Sequence, residues 1–429
     1  MDLGGLAVRQ LPHDARGDRF PERPLGGGEA RLLGGAQRLG DRGRTVRLEK
    51  APRPIANGTA IRDPFLKVWN HAPIPLQPNG TLALITVRGK FKDIKPLRRA
   101  VEAKIPRARN REANSRLRAL GSAPPQHREG GMQRKKAGDF DRRILELYDG
   151  YVHGRMTKRG FLEHAAKYTA GTAGALAVLN QLQPDYALAN QVAPDDPAIV
   201  TERIEYPSPE GNGTVRGLMA RPAGVEGPLP AVLVIHENRG LNPYIEDVVR
   251  RLGKAGYLAL GPDGLSSVGG YPGNDEQGRE MQAGIDPAKL MADFFAGYEY
   301  LAASDASTGR VGCVGFCYGG GVCNALAVAY PELSASVPFY GRQADAADVP
   351  AIEAPLMLHY AGLDERVNAG WPAYEAALKE NGKTYEVFFY DGTDHGFHND
   401  TTPRYDEAAA TLAWERTLGF FERHLTGEA

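Results

Sequence analysis

The sequence predicts an α/β three-layer sandwich with a mostly parallel sheet over residues 198–429, preceded by a largely unstructured basic extension over residues 1–131. Three observations carry this expectation. Short apolar runs alternate with helical patterns through about 230 residues, the order that a parallel sheet covered by helices requires. Several of those runs are continuously apolar, as strands buried on both faces are. The basic residues, in contrast, crowd into an N-terminal stretch that has almost no apolar periodicity.

That stretch holds 20 Arg and 6 Lys against 12 acidic residues, a net of +14, and the rest of the chain carries the balancing −14. None of the chain's 18 Tyr lies in it. Gly-Pro clusters recur (PLGGGEA, APRPIANG), and only Thr81–Val87 alternates like a short strand. The basic run over Lys90–Arg118 has the composition of an arm that neutralises phosphates. Aromatic side chains for base stacking are sparse there. The favoured reading is an unstructured extension, or a start placed upstream of a true first residue at Met132, with no nucleic-acid partner.

Residues 132–197 form a helical segment and linker. Asp139–Gly150 reads as a short amphipathic helix with Ile144, Leu145 and Tyr148 on one face. Within 157–189, Lys158-Arg159 precedes Phe161-Leu162, a small-residue apolar stretch follows, and Ala187-Leu188-Ala189 offers a cleavage pattern. This resembles a twin-arginine export signal, with Lys158 in place of the first Arg. The same residues suit a helix packed on the domain, so a cytoplasmic and an exported location both stay open. No run approaches the roughly 18 apolar residues of a membrane-spanning helix.

From residue 198 the alternation begins. Residues 201–206 and 214–221 alternate as two strands around a Gly-Asn-Gly turn. Apolar runs at 231–236, 257–261, 310–315, 335–340, 355–362 and 385–390 read as further strands. Helical patterns fill Pro243–Lys254, Pro287–Ala303, Tyr318–Ala329, Trp371–Asn381 and Tyr405–Leu425. Ligands on such sheets sit beyond the carboxyl ends of the strands, so the residues after each run matter most.

The three cysteines, Cys313, Cys317 and Cys323, lie within eleven residues, which excludes a disulfide-stapled scaffold. Their spacing, with no second pair nearby, gives no zinc motif, and no metal or other cofactor is expected. Cys317 stands in Gly315-Phe316-Cys317-Tyr318-Gly319, a strand–turn–helix elbow of the G-x-S-x-G kind with Cys for Ser. There the thiol meets a helix N-terminus, whose dipole favours thiolate. Cys313 and Cys323 read as buried structural residues. Asp364 follows one strand and His395 the next, giving the order nucleophile, acid, histidine. His395 would take the thiol proton and Asp364 would fix its tautomer. Asp394 and His398 are the weaker alternatives for acid and base. After 231–236, the backbone N–H of Asn238 is placed to form an oxyanion hole with that of Tyr318.

This combination resembles the dienelactone hydrolase (carboxymethylenebutenolidase) family of α/β-hydrolases over Ala198–Ala429. The resemblance implies a cofactor-free hydrolase of a small ester or lactone, working through a Cys317-His395-Asp364 triad and a thioester acyl-enzyme. It also implies that Glu237 partners the thiol and assists its ionisation. Where the family holds a substrate carboxylate with Arg, four residues after the catalytic histidine, this chain has Asn399; Arg342 is the candidate replacement. The rival of a different class is a nucleic-acid-binding protein that uses the basic arm over a non-catalytic scaffold. A serine esterase using Ser266 or Ser267 lacks the elbow context.

Overall fold

The computed structural model describes residues 134–427. The expectations placed on 1–131 therefore lie outside the described residues. Three helices come first: α1 (Arg142–Val152), α2 (Lys158–Ala165) and α3 (Gly171–Leu182). Each of the first two starts on a capping side chain, Asp141 and Thr157, which accept N–H groups that the first turn leaves unpaired. Ile144, Leu145 and Tyr148 are buried as expected, against Phe161, Ala165, Ala175, Leu179 and Leu182. The stretch 158–182, which resembles an export signal, is thus folded as two helices that share one small core with α1.

The eight strands are β1 (Ile199–Ser208), β2 (Gly213–Pro222), β3 (Leu229–Ile235), β4 (Leu258–Pro262), β5 (Ser307–Phe316), β6 (Ala335–Phe339), β7 (Leu356–Ala361) and β8 (Tyr385–Tyr390). They form one sheet in the order β1-β2-β4-β3-β5-β6-β7-β8. β1 and β2 pair antiparallel, as does β2 with β4, and every other pairing is parallel. The connecting helices are α4 (Pro243–Lys254), α5 (Asp275–Ala283), α6 (Pro287–Ala303), α7 (Tyr318–Ala329), the single turn α8 (Glu365–Asn368), α9 (Trp371–Glu380) and α10 (Glu407–Leu425).

The sandwich follows from the two-residue period of β3. Ala231, Leu233 and Ile235 enter one core with α6, α7 and α9, whereas Val232 and Val234 enter the other with α4 and α10. All five are fully buried, which is why this strand reads as an uninterrupted apolar run.

The turn from β5 into α7 is the tightest point of the fold. Cys317 adopts φ 55°, a conformation that L-residues other than Gly seldom take, and its backbone N–H donates to the Phe339 carbonyl at 3.0 Å. Glycines make room for it. A Cβ on Gly315 would stand 2.1 Å from the Gly319 carbonyl oxygen, and one on Gly319 would stand 2.2 Å from that of Ile235. Both obstacles are backbone, so neither moves without displacing a strand or helix.

Gly319→Ala is therefore expected to destabilise the fold by about 3 kcal/mol or more, lowering Tm in a thermal melt by roughly 6 °C or more. Gly138→Ala, where an added Cβ meets nothing within 4 Å, should leave Tm within about 1–2 °C of wild type. Equal melting temperatures for the two variants would contradict the packing account.

Candidate functional site

Four loops at the carboxyl ends of β3, β5, β7 and β8 converge on Cys317, and α1 comes down over them from outside the sheet. β5 delivers Cys317 as the residue directly before α7. β7 leads to Asp364, which caps α8 by accepting the Val367 N–H at 3.2 Å. The loop after β8 carries His395. Its Nδ1 donates to Asp364 Oδ2 at 2.5 Å, which fixes the tautomer and turns Nε2 toward the thiol. Asp364 and His395 are buried, and Cys317 is half-buried.

The structure adds a second imidazole that sequence reasoning missed. His153, one residue beyond the end of α1, places Nε2 3.4 Å from Cys317 Sγ and 3.3 Å from His395 Nε2. Its own Nδ1 faces the Asp149 carbonyl at 2.8 Å and the Asp149 carboxylate at 3.0 Å. The thiol thus faces two imidazoles, each held from behind by a carboxylate. The available signal was the i, i+4 pair Asp149 and His153 on the polar side of an amphipathic helix. Nothing in that spacing, however, says which distant loop the pair will meet.

Several contacts hold α1 and its neighbours in place. Asn238 Nδ2 donates to the Val152 carbonyl at 2.8 Å. Arg142 pairs with Asp394 and donates to the Leu363 carbonyl at 3.2 Å. Lys158 pairs with Glu276 at 2.6 Å, and the Asp185 N–H donates to the Thr401 carbonyl at 2.7 Å.

The electrostatics of the cluster are reciprocal. Burial by itself would raise the Cys317 thiol, but the imidazoles of His395 and His153 outweigh it and hold the thiol well below its ordinary value. Burial pulls His395 down, yet the neighbouring thiolate and Asp364 carry it up to about 10. His153 is likewise depressed by burial and raised on balance by Cys317 and Asp149. Asp364 stays below the usual carboxylate range because its bond to His395 overcomes its burial.

The remaining candidates fall in different places. Glu237 is buried, but its carboxylate is taken up by Arg239 at 3.1 Å and by Asn399 Nδ2 at 3.2 Å. The partner expected for it, the sulfur, is instead flanked by His153. Burial still lifts the Glu237 carboxyl, Arg239 opposes that rise, and the Cys317 charge adds to it. Asn238 lies in the loop after β3 and Tyr318 opens α7 within the elbow after β5, the strand that pairs with β3. Arg342 does not join the cluster: its side chain is 82% exposed and faces Asp345 at 3.2 Å, because its loop turns outward after β6. Asp394 points to Arg142. His398 is buried with Nδ1 2.7 Å from the Tyr244 hydroxyl, and burial holds it well below its ordinary value. The Ser266 hydroxyl is occupied by backbone groups, donating to the Asp263 carbonyl at 2.5 Å and accepting the Arg216 N–H at 2.9 Å.

The chain is similar to several known proteins. The family described as the dienelactone hydrolase family matches residues 215–425, and a separate family described as YqhI-like matches residues 132–168, which contain His153. A 113-residue stretch is 66% identical to the "Putative hydrolase fragment YghX" of Escherichia coli, covering 26% of this chain and 97% of that protein. The chain is 31% identical over 269 residues to a "Putative carboxymethylenebutenolidase" of Methylorubrum extorquens, covering 58% of this chain and 91% of that one. It is 33% identical over 233 residues to a "Probable 2-oxo-3-(5-oxofuran-2-ylidene)propanoate lactonase" of a Bradyrhizobium species, covering 51% and 93%. With matches of that identity spanning nearly the whole of its relatives, and an elbow, acid and histidine in the order described above, the chain belongs to the dienelactone hydrolase family.

Proposed function

We propose that this carboxylic-ester hydrolase cleaves a small ester or lactone of the dienelactone type through a covalent thioester on Cys317. The observation that supports the reading best is the elbow sulfur beside an imidazole whose far nitrogen is held by Asp364 at 2.5 Å. In this reading the Cys317 thiolate attacks the substrate carbonyl, and the N–H groups of Asn238 and Tyr318 receive the developing oxyanion. Collapse of the tetrahedral species expels the alkoxide, which takes a proton from the His395 imidazolium and leaves a thioester on Sγ. His395, now neutral, removes a proton from water, the hydroxide attacks the thioester, and the carboxylic acid departs as thiolate re-forms. No external co-reactant besides water is required.

His153 gives the thiol proton a second place to reside. With two imidazoles facing the sulfur the thiolate persists, and the His395 imidazolium remains the donor to the leaving alkoxide. Asp149 orients His153 through its backbone carbonyl, with its carboxylate 3.0 Å from the same Nδ1. Glu237, fixed by Arg239 and Asn399, acts through its charge, and it and the thiolate each raise the other's proton affinity. Arg342 has no role in this reading.

Two expectations follow from the chemistry. Hydrolysis of a panel that includes p-nitrophenyl acetate and dienelactone should fall by at least about 10³-fold in Cys317→Ala. Equal rates in wild type and variant would sink the assignment. The second concerns ionisation. Because the thiol is held below its ordinary value, its alkylation by iodoacetamide should already be near its plateau rate at neutral pH, falling as acid protonates the sulfur. His153→Ala removes one of the two cations facing the sulfur, so the midpoint should move to higher pH, slowing alkylation by about ten-fold on the acid limb of the profile. A circular dichroism spectrum matching wild type confirms that the variant is folded. A profile unchanged in His153→Ala would remove His153 from the account.

A further inference from the structure

The meeting of Cys317, His153 and His395 has a geometry that proton chemistry alone does not require. Both Nδ1 atoms are turned toward carboxylates, which leaves both Nε2 atoms on the side of the sulfur. The two Nε2 atoms are 3.3 Å apart, close enough for one positive charge, a proton or a metal ion, to be shared between them.

We propose that these three side chains form a binding site for a soft divalent cation of the zinc type, supplied jointly by the hydrolase sheet and the N-terminal helical segment. Metal–nitrogen bonds of about 2.0–2.1 Å and metal–sulfur bonds of about 2.3 Å at tetrahedral angles demand nitrogen–nitrogen edges of about 3.3 Å and nitrogen–sulfur edges of about 3.6 Å. The cluster offers 3.3 Å between the two nitrogens and 3.4 Å from His153 to the sulfur, and all three donor atoms lie within 4.8 Å of one another. The ligand set is chemically suited as well, since thiolate and imidazole are the donors that select such ions. Asp149 behind His153 and Asp364 behind His395 supply the carboxylate–histidine pairs that orient metal-bound imidazoles.

The nearest opposing charge is Arg366, whose Nη2 lies 3.4 Å from His153 Nε2 and 3.3 Å from His395 Nδ1. It is about one-third exposed and also faces Asp149 at 3.5 Å, so its side chain has solvent to move into. Counting one dication, one thiolate, two carboxylates and one guanidinium, the filled site is electrically neutral. The three protein donors leave the fourth tetrahedral position open.

The consequence for activity rests on the thiol-hydrolase reading above. A cation bound to Sγ occupies the lone pair that would attack the carbonyl, so the bound form is inactive and its removal restores activity.

The test uses the untagged full-length chain, stripped with a chelator and titrated with Co²⁺ and then Zn²⁺. The proposal predicts a near-ultraviolet thiolate-to-cobalt charge-transfer band that saturates at one equivalent and is abolished by Zn²⁺. The band should be absent in Cys317→Ser, and Co²⁺ affinity should fall at least ten-fold in His153→Ala. Circular dichroism checks that both variants are folded. No band in wild type, or a band of unchanged affinity in His153→Ala, would overturn the site. The activity arm separates the two readings. Stripped enzyme that is active and is inhibited by one equivalent of Zn²⁺ supports both. Stripped enzyme that is inactive and is restored by Zn²⁺ keeps the site but overturns the thiol-nucleophile reading.

Discussion

The strand-to-helix turn at Cys317 is the constraint on which the rest of the site depends. A residue at φ 55° is held in a sparsely populated conformation only when its surroundings fix it. Here β5 fixes the chain on one side, α7 continues it on the other, and the Phe339 carbonyl anchors its N–H. The glycines at 315 and 319 allow the turn to press against the end of β3 with no side chain between. The sulfur therefore projects from the carboxyl edge of the sheet, where the loops after β7 and β8 can reach it. Moving the elbow by one residue would separate the thiol from both imidazoles.

The electrostatic character of the site follows from that placement. Two imidazoles, each braced by a carboxylate, face one thiol in a volume from which α1 excludes much of the solvent. Water would screen such charges, whereas burial strengthens them. Glu237 belongs to a neighbouring ring of charge. Arg239 bridges it at 3.1 Å to Asp275, which it meets at 2.8 Å, and Asp275 in turn accepts hydroxyl hydrogen bonds from Tyr186 and Tyr271. This ring ties the linker before β1 to the loop that carries Glu237, so the helical segment and the sheet meet at the site through charge as well as through His153.

Much of this was legible in the sequence because it is locally encoded. The limits of α4 and α6 coincide with the patterns read for them, since Asn242 and Asp286 cap their first turns and a Pro follows each cap. The strands announced themselves by apolar runs that two layers of helix bury. α5 was missed because its buried residues are Asp275, Gly278 and Gln282, which leave no apolar stripe. Cys317, Asp364 and His395 could be singled out because each lies on a segment that leaves the carboxyl end of a strand. His153 could not be, because it approaches from a segment with no strand to mark it. Arg342 shows the opposite failure, because its loop turns outward after β6, whereas Glu237 lies in the neighbouring charge ring, held by Arg239 and Asn399.

The central claim is that Cys317 is the atom that carries the acyl group. It is tested most directly by quenching the enzyme with acid during turnover of p-nitrophenyl acetate and measuring the intact mass and the peptide map. The account predicts a single acetyl adduct on the peptide containing Cys317, lost on treatment with hydroxylamine as a thioester is. An adduct on another residue, or steady turnover with no covalent adduct, would contradict it.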